Sequence, residues 1–387
     1  MLDLRILHVY RTYFPDPPGG LQEAIRQICL STQKFGIQNT IFTLSPHPIP
    51  SVIDRSEGRV VRCKSWASPA SCDLGALSSF KTFTELSARA DLIHYHFPWP
   101  FADVLQLLSG SKTPALMTYH SDVVRQRLAG KFYLPLMNRM LDSMRAIVAT
   151  SQAYAETSTT LSDPKLADRL KVIPLGMCDE SRLSAQNENF SKRFETASFG
   201  SYFLFVGVLR YYKGIDFLLK AAKEVKANII VAGSGPEERS LKKLADELRL
   251  RNIIFLGAIS NNEKVQLLKN CTALVLPSHL RSEAFGMVLV ESAMYGKPMI
   301  SCEIGTGTSY VNRHNETGLV VRPRSPGELV GAMNVLLEDD RMREDFGLGA
   351  RERYENLFSG PALGKAYFDL YIQTKSQQTF GSTSHES

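Results

Sequence analysis

No apolar run in this chain approaches the roughly 20 residues needed to cross a bilayer, so a membrane-spanning protein is not expected. Residues 1–6 carry no basic leader followed by an apolar stretch, and the chain is therefore expected in the cytoplasm rather than secreted through a cleaved signal. The six cysteines, Cys29, Cys63, Cys72, Cys178, Cys271 and Cys302, are scattered, with no C-x-x-C pair and no histidine at zinc-finger spacing. They read as reduced, mostly buried thiols. Charge of one sign is also scarce: 45 basic against 39 acidic residues leave +6, too small an excess for a nucleic-acid binder.

Several chemistries are missing as motifs. The Gly-Lys pairs at 130–131, 296–297 and 364–365 are never followed by Ser or Thr, which excludes a P-loop. The turn at 231–238 has Gly233 and Gly235 of a dinucleotide fingerprint but Glu238 where the third glycine belongs, which argues against a nicotinamide oxidoreductase. H-E-x-x-H and G-x-S-x-G are absent, removing the common zinc protease and serine hydrolase readings. Asp-x-Asp is absent too, so no metal and no cofactor is expected on a diphosphate ligand.

What remains is a folded α/β chain. Its 387 residues suit two domains better than one core. Short β-branched or aromatic runs at 4–10, 40–44, 91–96, 115–120 and 146–150 alternate with helical-period stretches, and a second series runs through 202–207, 228–233, 252–256, 273–277 and 298–301. This is the βαβ pattern of a parallel sheet, met twice. The polar stretch 179–198 reads as the linker, giving domains at 1–180 and 200–360. A helical pattern over 361–375 is expected to pack back on the first domain, and 376–387 to be a disordered tail.

Anion-binding and hydroxyl-binding features gather at the predicted strand ends. After the strand closing at Pro277 comes a loop with Glu283, and a helix is expected to start near Phe285 or Gly286, its unpaired N–H groups available to an anion. Glu291, one turn and a half further on, leans toward the same crevice because helical side chains point toward the N-terminus. Alternatively, both acids merely favour the helix dipole. Gly207, Arg210 and Lys213 form a glycine turn and a basic pair before a helix, a second cradle for diphosphate. Lys213 and Glu283 are expected on exposed loops. Gly19 and Gly20 open the helix after the first strand, either as a phosphate or acceptor approach or as an ordinary Pro-Gly turn. His120 closes a strand and faces a crevice or serves the core; His94 and His96 share one strand face and, with no third ligand apparent, read as structural.

Taken in order, Pro18-Gly19-Gly20, Thr118-Tyr-His120-Ser-Asp122, Val172-Ile-Pro-Leu-Gly176, Phe205-Val-Gly207 with Lys213-Gly214, Gly233-Ser-Gly235-Pro236, and Glu283 spaced E-x7-E from Glu291 are similar to the motifs of the retaining glycosyltransferases of family 4. The opening Leu7-His-Val-Tyr-Arg-Thr-Tyr-Phe-Pro-Asp16 resembles bacterial O-antigen mannosyl- and rhamnosyltransferases. The resemblance implies a GT-B fold of two Rossmann-like domains facing a cleft, the acceptor on the N-terminal domain and the nucleotide-sugar donor, GDP-linked by subgroup, on the C-terminal one. It implies a lipid-linked saccharide acceptor in lipopolysaccharide O-antigen synthesis. Lys213 would neutralise the diphosphate, Glu283 hold donor-sugar hydroxyls, Phe285 and Gly286 offer N–H groups, Glu291 bind the ribose, and His120 sit by the sugar.

One position departs from the pattern. The family's Gly-Arg-Leu is Gly207-Val208-Leu209 here, so Arg210 is expected to replace the missing arginine. Two other readings stay open: a GT-B epimerase of UDP-sugars, and a non-catalytic nucleotide-sugar binding protein. The stretch 123–145 has Arg125, Arg127, Lys131, Arg139 and Arg145 against Asp142 alone, with Phe132, Tyr133, Leu134, Leu136 and Met137 among them. Such a surface is expected to attach peripherally to anionic lipid on the inner face of the cytoplasmic membrane.

Overall fold

The computed structural model describes residues 3–16, 19–67, 73–122, 127–181 and 199–376, apart from the side chains of 127–132. The chain folds as two compact units, Met1–Cys178 together with Gly360–Ser387, and Asp179–Ser359. Asp179 and Glu180 thus belong to the second unit, two residues before the boundary read from sequence. Of the linker, 182–198 lies outside the described residues, as does 377–387 of the tail; Ser376 closes a helix.

The first unit holds β1 (Leu4–Val9), β2 (Ile37–Ser45), β3 (Val52–Arg55), β4 (Gly58–Ala67), β5 (Leu74–Gly75), β6 (Leu92–Phe97), β7 (Ala115–Tyr119), β8 (Ala146–Ala149) and β9 (Leu170–Val172). They form one sheet in the order β3-β4-β2-β1-β6-β7-β8-β9, with β5 on β4. Pairing is parallel except for β3 and β5, which run antiparallel to β4 at the edge. β6 and β7 are buried at every residue, as strands covered by helices on both faces must be. The helix Gly360–Ser376 is part of this unit. Its Leu363, Tyr367, Leu370 and Tyr371 are buried with Leu4, Ile6, Leu92, Leu116 and Val148. A Cβ on Gly364 would fall 2.4 Å from the carbonyl oxygen of Ser31, so only glycine lets this helix lie so close to the helix Gly20–Gln33.

The second unit holds β10 (Tyr202–Val206), β11 (Asn228–Ala232), β12 (Ile253–Gly257), β13 (Ala273–Leu276), β14 (Met299–Cys302) and β15 (Gly318–Val321). All pairs are parallel in the order β12-β11-β10-β13-β14-β15. Numbered from its first strand this is 3-2-1-4-5-6, the doubly wound order. The chain reverses direction of growth between β10 and β13, and a crevice opens there outside the carboxyl ends of the strands.

Candidate active site

The switch point of the second unit brings together the groups that follow β10 and β13. After β10 the chain passes Gly207 to Arg210, makes one tight turn at Tyr211–Lys213, and reaches Gly214 before the helix Ile215–Ala222. Gly214 has φ +67°, and a Cβ there would meet the carbonyl oxygen of Pro277 at 2.1 Å. This bare backbone contact sets the turn on the end of β13, where Lys213 Nζ forms an ion pair with Glu283 Oε2. Ser278 Oγ donates to the same oxygen at 3.0 Å. Thr306 Oγ1 donates to the Glu283 carbonyl at 2.8 Å, tying the loop to the segment after β14.

The expectation of exposed loops is corrected here. The side chains of Lys213 and Glu283 are only 12% and 11% exposed, because the two strand-end loops pack on each other through Gly214. Burial alone would lower the Lys213 pKa; the Glu283 carboxylate and Tyr212 outweigh it and hold the ammonium above the usual lysine range. A charged lysine therefore persists in a site that is nearly dry. Glu283 Oε1 has no hydrogen bond among the described residues, leaving that oxygen for a ligand hydroxyl.

The other candidate residues of this unit follow β10, β11 and β13. Gly286, at φ +83°, caps the helix Met287–Met294, a conformation that strains any residue with a side chain. The Phe285 ring is buried against Phe358 and the bare face of Gly307, so what Phe285 can offer a ligand is its backbone. Glu291 sits on the helix and pairs through Oε1 with Lys264 Nζ at 2.7 Å. Arg210 is exposed, and its guanidinium has no partner among the described residues. Gly207, Gly233 and Gly235 knit two loops: a Cβ on Gly233 would meet Gly207 O at 2.0 Å, and one on Gly235 would meet Leu209 O at 2.5 Å. At Gly233 and Gly235 this packing demands the absence of a side chain, whatever they offer to phosphate; at Gly207 a Cβ would have room, and the φ of +153° is what favours glycine. Ser278 and Lys264 were not singled out from sequence; a serine closing a strand and a lysine in a polar helix carry no pattern of their own.

In the first unit, Gly19 caps the helix Gly20–Gln33 in extended conformation, and a Cβ on Gly20 would meet nothing within 4 Å. The preceding loop is anchored by Tyr13 Oη donating to buried Glu57 at 3.1 Å and by Asp16 pairing with Arg62 at 3.4 Å. His120 follows β7 and is 6% exposed. Its Nε2 lies 3.1 Å from His96 Nδ1, His96 Nε2 lies 3.1 Å from His8 Nδ1, and His8 Nε2 lies 3.1 Å from Asn39 Oδ1. His94 contacts Tyr371 Oη at 2.9 Å and Thr118 Oγ1 at 2.7 Å. No third companion for His94 and His96 is apparent in the sequence. His8, paired with His94 across β1 and β6, supplies it, and nitrogens of the three lie within 4.8 Å of one another. All six of their ring nitrogens already face a polar partner, so hydrogen bonding alone satisfies the cluster. Burial lowers His8 to about 4 and His120 to about 3, and holds His94 and His96 well below the usual histidine range.

Two further regions bear on the sequence reading. A cavity of about 1040 Å³ in the second unit is lined by Thr272, Pro298 and Arg351 among others. Thr272 and Pro298 precede β13 and β14, which puts this cavity at the amino edge of the sheet, opposite the switch point where doubly wound sheets bind ligands. Of the basic stretch 123–145, 123–126 and the side chains of 127–132 lie outside the described residues. Beyond them Met137, Met140 and Leu141 face the core and Arg145 Nη1 donates to Thr374 O at 3.2 Å, whereas Leu134 and Arg139 are exposed. Among the described residues no helix is long and apolar enough to cross a membrane. Five cysteines are free thiols, and Cys72 lies outside the described residues.

Two doubly wound sheets, one with a lysine and a carboxylate at its switch point, are the architecture of nucleotide-binding α/β proteins. Residues 186–353 match the family model of glycosyl transferases group 1, and 19–176 match a glycosyl transferase 4-like domain. The chain is 44% identical over 363 residues to D-rhamnosyltransferase WbpZ of Pseudomonas aeruginosa, covering 92% of each chain. It is 38% identical over 368 residues to O-antigen chain mannosyltransferase C of Escherichia coli, covering 95% of this chain and 98% of that one. Among solved structures it resembles sucrose-phosphate synthase of Thermosynechococcus elongatus, with a TM-score of 0.76 at 22% identity over 97% of this chain and 100% of that one. Anabaena HepE in complex with UDP gives a TM-score of 0.77 at 18% identity over 96% and 100%. The chain belongs to the group 1 glycosyltransferases, has the GT-B fold and is a hexosyltransferase.

Proposed function

We propose that this enzyme transfers mannose or D-rhamnose from a GDP-sugar, with retention, onto a lipid-linked saccharide in O-antigen synthesis. The observation that carries the donor site is the buried Lys213–Glu283 pair at the switch point, with Arg210 exposed and unpaired among the described residues. Transfer breaks the bond between the anomeric carbon and the diphosphate, and negative charge grows on the leaving oxygen. A lysine already charged and oriented stabilises that charge without reorganising, which is how preorganised sites lower a barrier. Lys213 and Arg210 supply it in place of a metal. Glu283 keeps Oε2 for Lys213 and Ser278 and presents Oε1 to the sugar hydroxyls. Retention follows a front-face route: the departing phosphate takes the acceptor proton, which needs a well-placed diphosphate and no protein nucleophile. The sugar and pathway are supported by the relatives named for D-rhamnose transfer and O-antigen mannose transfer.

The test is a mass-spectrometric donor screen across GDP-, UDP- and dTDP-sugars with a saccharide acceptor, in EDTA. Transfer from GDP-mannose or GDP-rhamnose is expected. Activity lost in EDTA and restored by Mg²⁺ would overturn the metal-free reading, and a free epimer formed without acceptor would identify an epimerase. Peripheral attachment through 123–145 predicts salt-sensitive sedimentation with anionic vesicles; binding that ignores lipid charge would refute it.

A further inference from the structure

We infer that Asn39, His8 and His96 are positioning residues that fix His120 as a hydrogen-bond acceptor at Nδ1, aimed at a hydroxyl of a sugar ligand. The polarity of the row is set at its far end. Asn39 Nδ2 lies 3.0 Å from the carbonyl oxygen of Cys29, which can only accept. The amide must therefore turn its NH2 to Cys29 and its oxygen to His8; the flipped amide would face carbonyl with carbonyl. Thr32 Oγ1, 3.5 Å from the same Nδ2, donates its own proton to Ile28 O at 2.8 Å and is likewise an acceptor here.

From that point each proton follows. Asn39 Oδ1 accepts, so His8 Nε2 carries the hydrogen and His8 Nδ1 the lone pair. That lone pair accepts from His96 Nε2–H, leaving His96 Nδ1 to accept from His120 Nε2–H. A neutral imidazole has one N–H, so His120 Nδ1 is left with a lone pair. The rings must be neutral for this, and their depth in the sheet ensures it: His8, His96 and His120 are all at most 6% exposed. The row crosses four adjacent strands, from β2 through β1 and β6 to the end of β7, and aligned hydrogen bonds of this kind polarise one another.

The consequence is a rigid acceptor at the carboxyl end of β7, where a histidine of the other tautomer would present N–H instead. A ligand group meeting it must be a donor, which a sugar hydroxyl is and a phosphate oxygen is not. That assignment of the ligand rests on the glycosyl-transfer reading; the tautomer does not.

Two-bond proton–nitrogen correlation spectra of the ligand-free full chain, labelled with ¹⁵N-histidine, read each tautomer at neutral pH. His8, His96 and His120 are expected to be protonated at Nε2 and bare at Nδ1. His96→Leu removes the acceptor from His120 Nε2 and should shift His120 toward the Nδ1–H form, whereas His96→Gln, whose amide can accept from His120 and donate to His8, should keep it. In transfer from GDP-mannose, His96→Leu should lower kcat/KM about tenfold, the order of one lost hydrogen bond, and His96→Gln should recover most of it. His120 protonated at Nδ1 in the wild-type chain overturns the inference even if no variant folds, and so does a His96→Leu variant with unchanged tautomer or turnover. Wild-type protein with the expected tautomers and no turnover would instead count against the donor assignment.

Discussion

At the residue scale Lys213 and Glu283 form a nearly buried ion pair. Removing one member of a buried ion pair strands the other, at a cost of about 3–5 kcal/mol when no water reaches it. With roughly a tenth of each side chain exposed, a smaller loss is expected. Lys213→Ala should therefore lower both the melting temperature and turnover, the latter by about 10² to 10³ if the ammonium acts on the leaving group as an oxyanion-hole donor does. Glu283→Gln keeps the side chain's shape and separates the two effects: a folded protein with turnover reduced at least tenfold is expected, measured by calorimetric melting and initial rates. Normal turnover in the glutamine variant would remove Glu283 from the site. The residues themselves were legible in sequence through their spacing. Their burial was not, because it depends on Gly214 meeting Pro277, a contact across 63 residues of chain that no local pattern announces.

At the element scale, packing between loops makes a sharper prediction than propensity would. Gly233→Ala places a methyl group 2.0 Å from Gly207 O at φ +132°, where nothing flexible can yield. Its cost should exceed about 1–3 kcal/mol, the usual penalty for strained backbone alone. Gly20→Ala meets open space at the start of a helix and should be neutral or slightly stabilising in the same urea titration. Equal stabilities for the two variants would refute the loop packing. The buried parallel strands were legible because continuous apolar runs such as 202–206 and 273–276 have few other uses. The strands β3 and β4 at that end of the sheet were not, since Asp54, Arg59 and Lys64 break their apolar pattern where one face meets solvent, and Arg62 breaks it from inside, buried against Asp16 and Ser45. The start of β2 was hidden by Asn39, a polar residue buried only because His8 and Cys29 satisfy it.

At the scale of the whole molecule, the buried histidines tie stability to pH. His8, His94, His96 and His120 are held neutral by burial, with pKa values lowered to about 4 for His8 and about 3 for His120. Unfolded, each would titrate near the ordinary value of about 6.5. The unfolded chain therefore binds more protons below that pH, so stability is full above about pH 6.5 and falls as pH drops toward 4, by up to about 1.4 kcal/mol per pH unit for each histidine. Buried Asp103, raised to about 7, works the other way over part of the same range and offsets about one of the four. Urea melts at pH 7 and pH 5 should differ by several kcal/mol, and equal midpoints would contradict the neutral row. The two-domain α/β character was legible as a repeated alternation of strand and helix. Strand order was not, because register and crossover are set by which strands meet in space, and with it went the adjacency of His8 to His94.

The most direct test of the donor site is a calorimetric titration of GDP-mannose into the full chain in EDTA, comparing wild type with Arg210→Ala. Arg210 is exposed and has no partner among the described residues, so its loss should leave melting unchanged. Metal-free binding that weakens at least about tenfold in the variant is expected, the order of a lost charged hydrogen bond. Binding that requires a divalent metal, or an affinity untouched by Arg210→Ala, would contradict it.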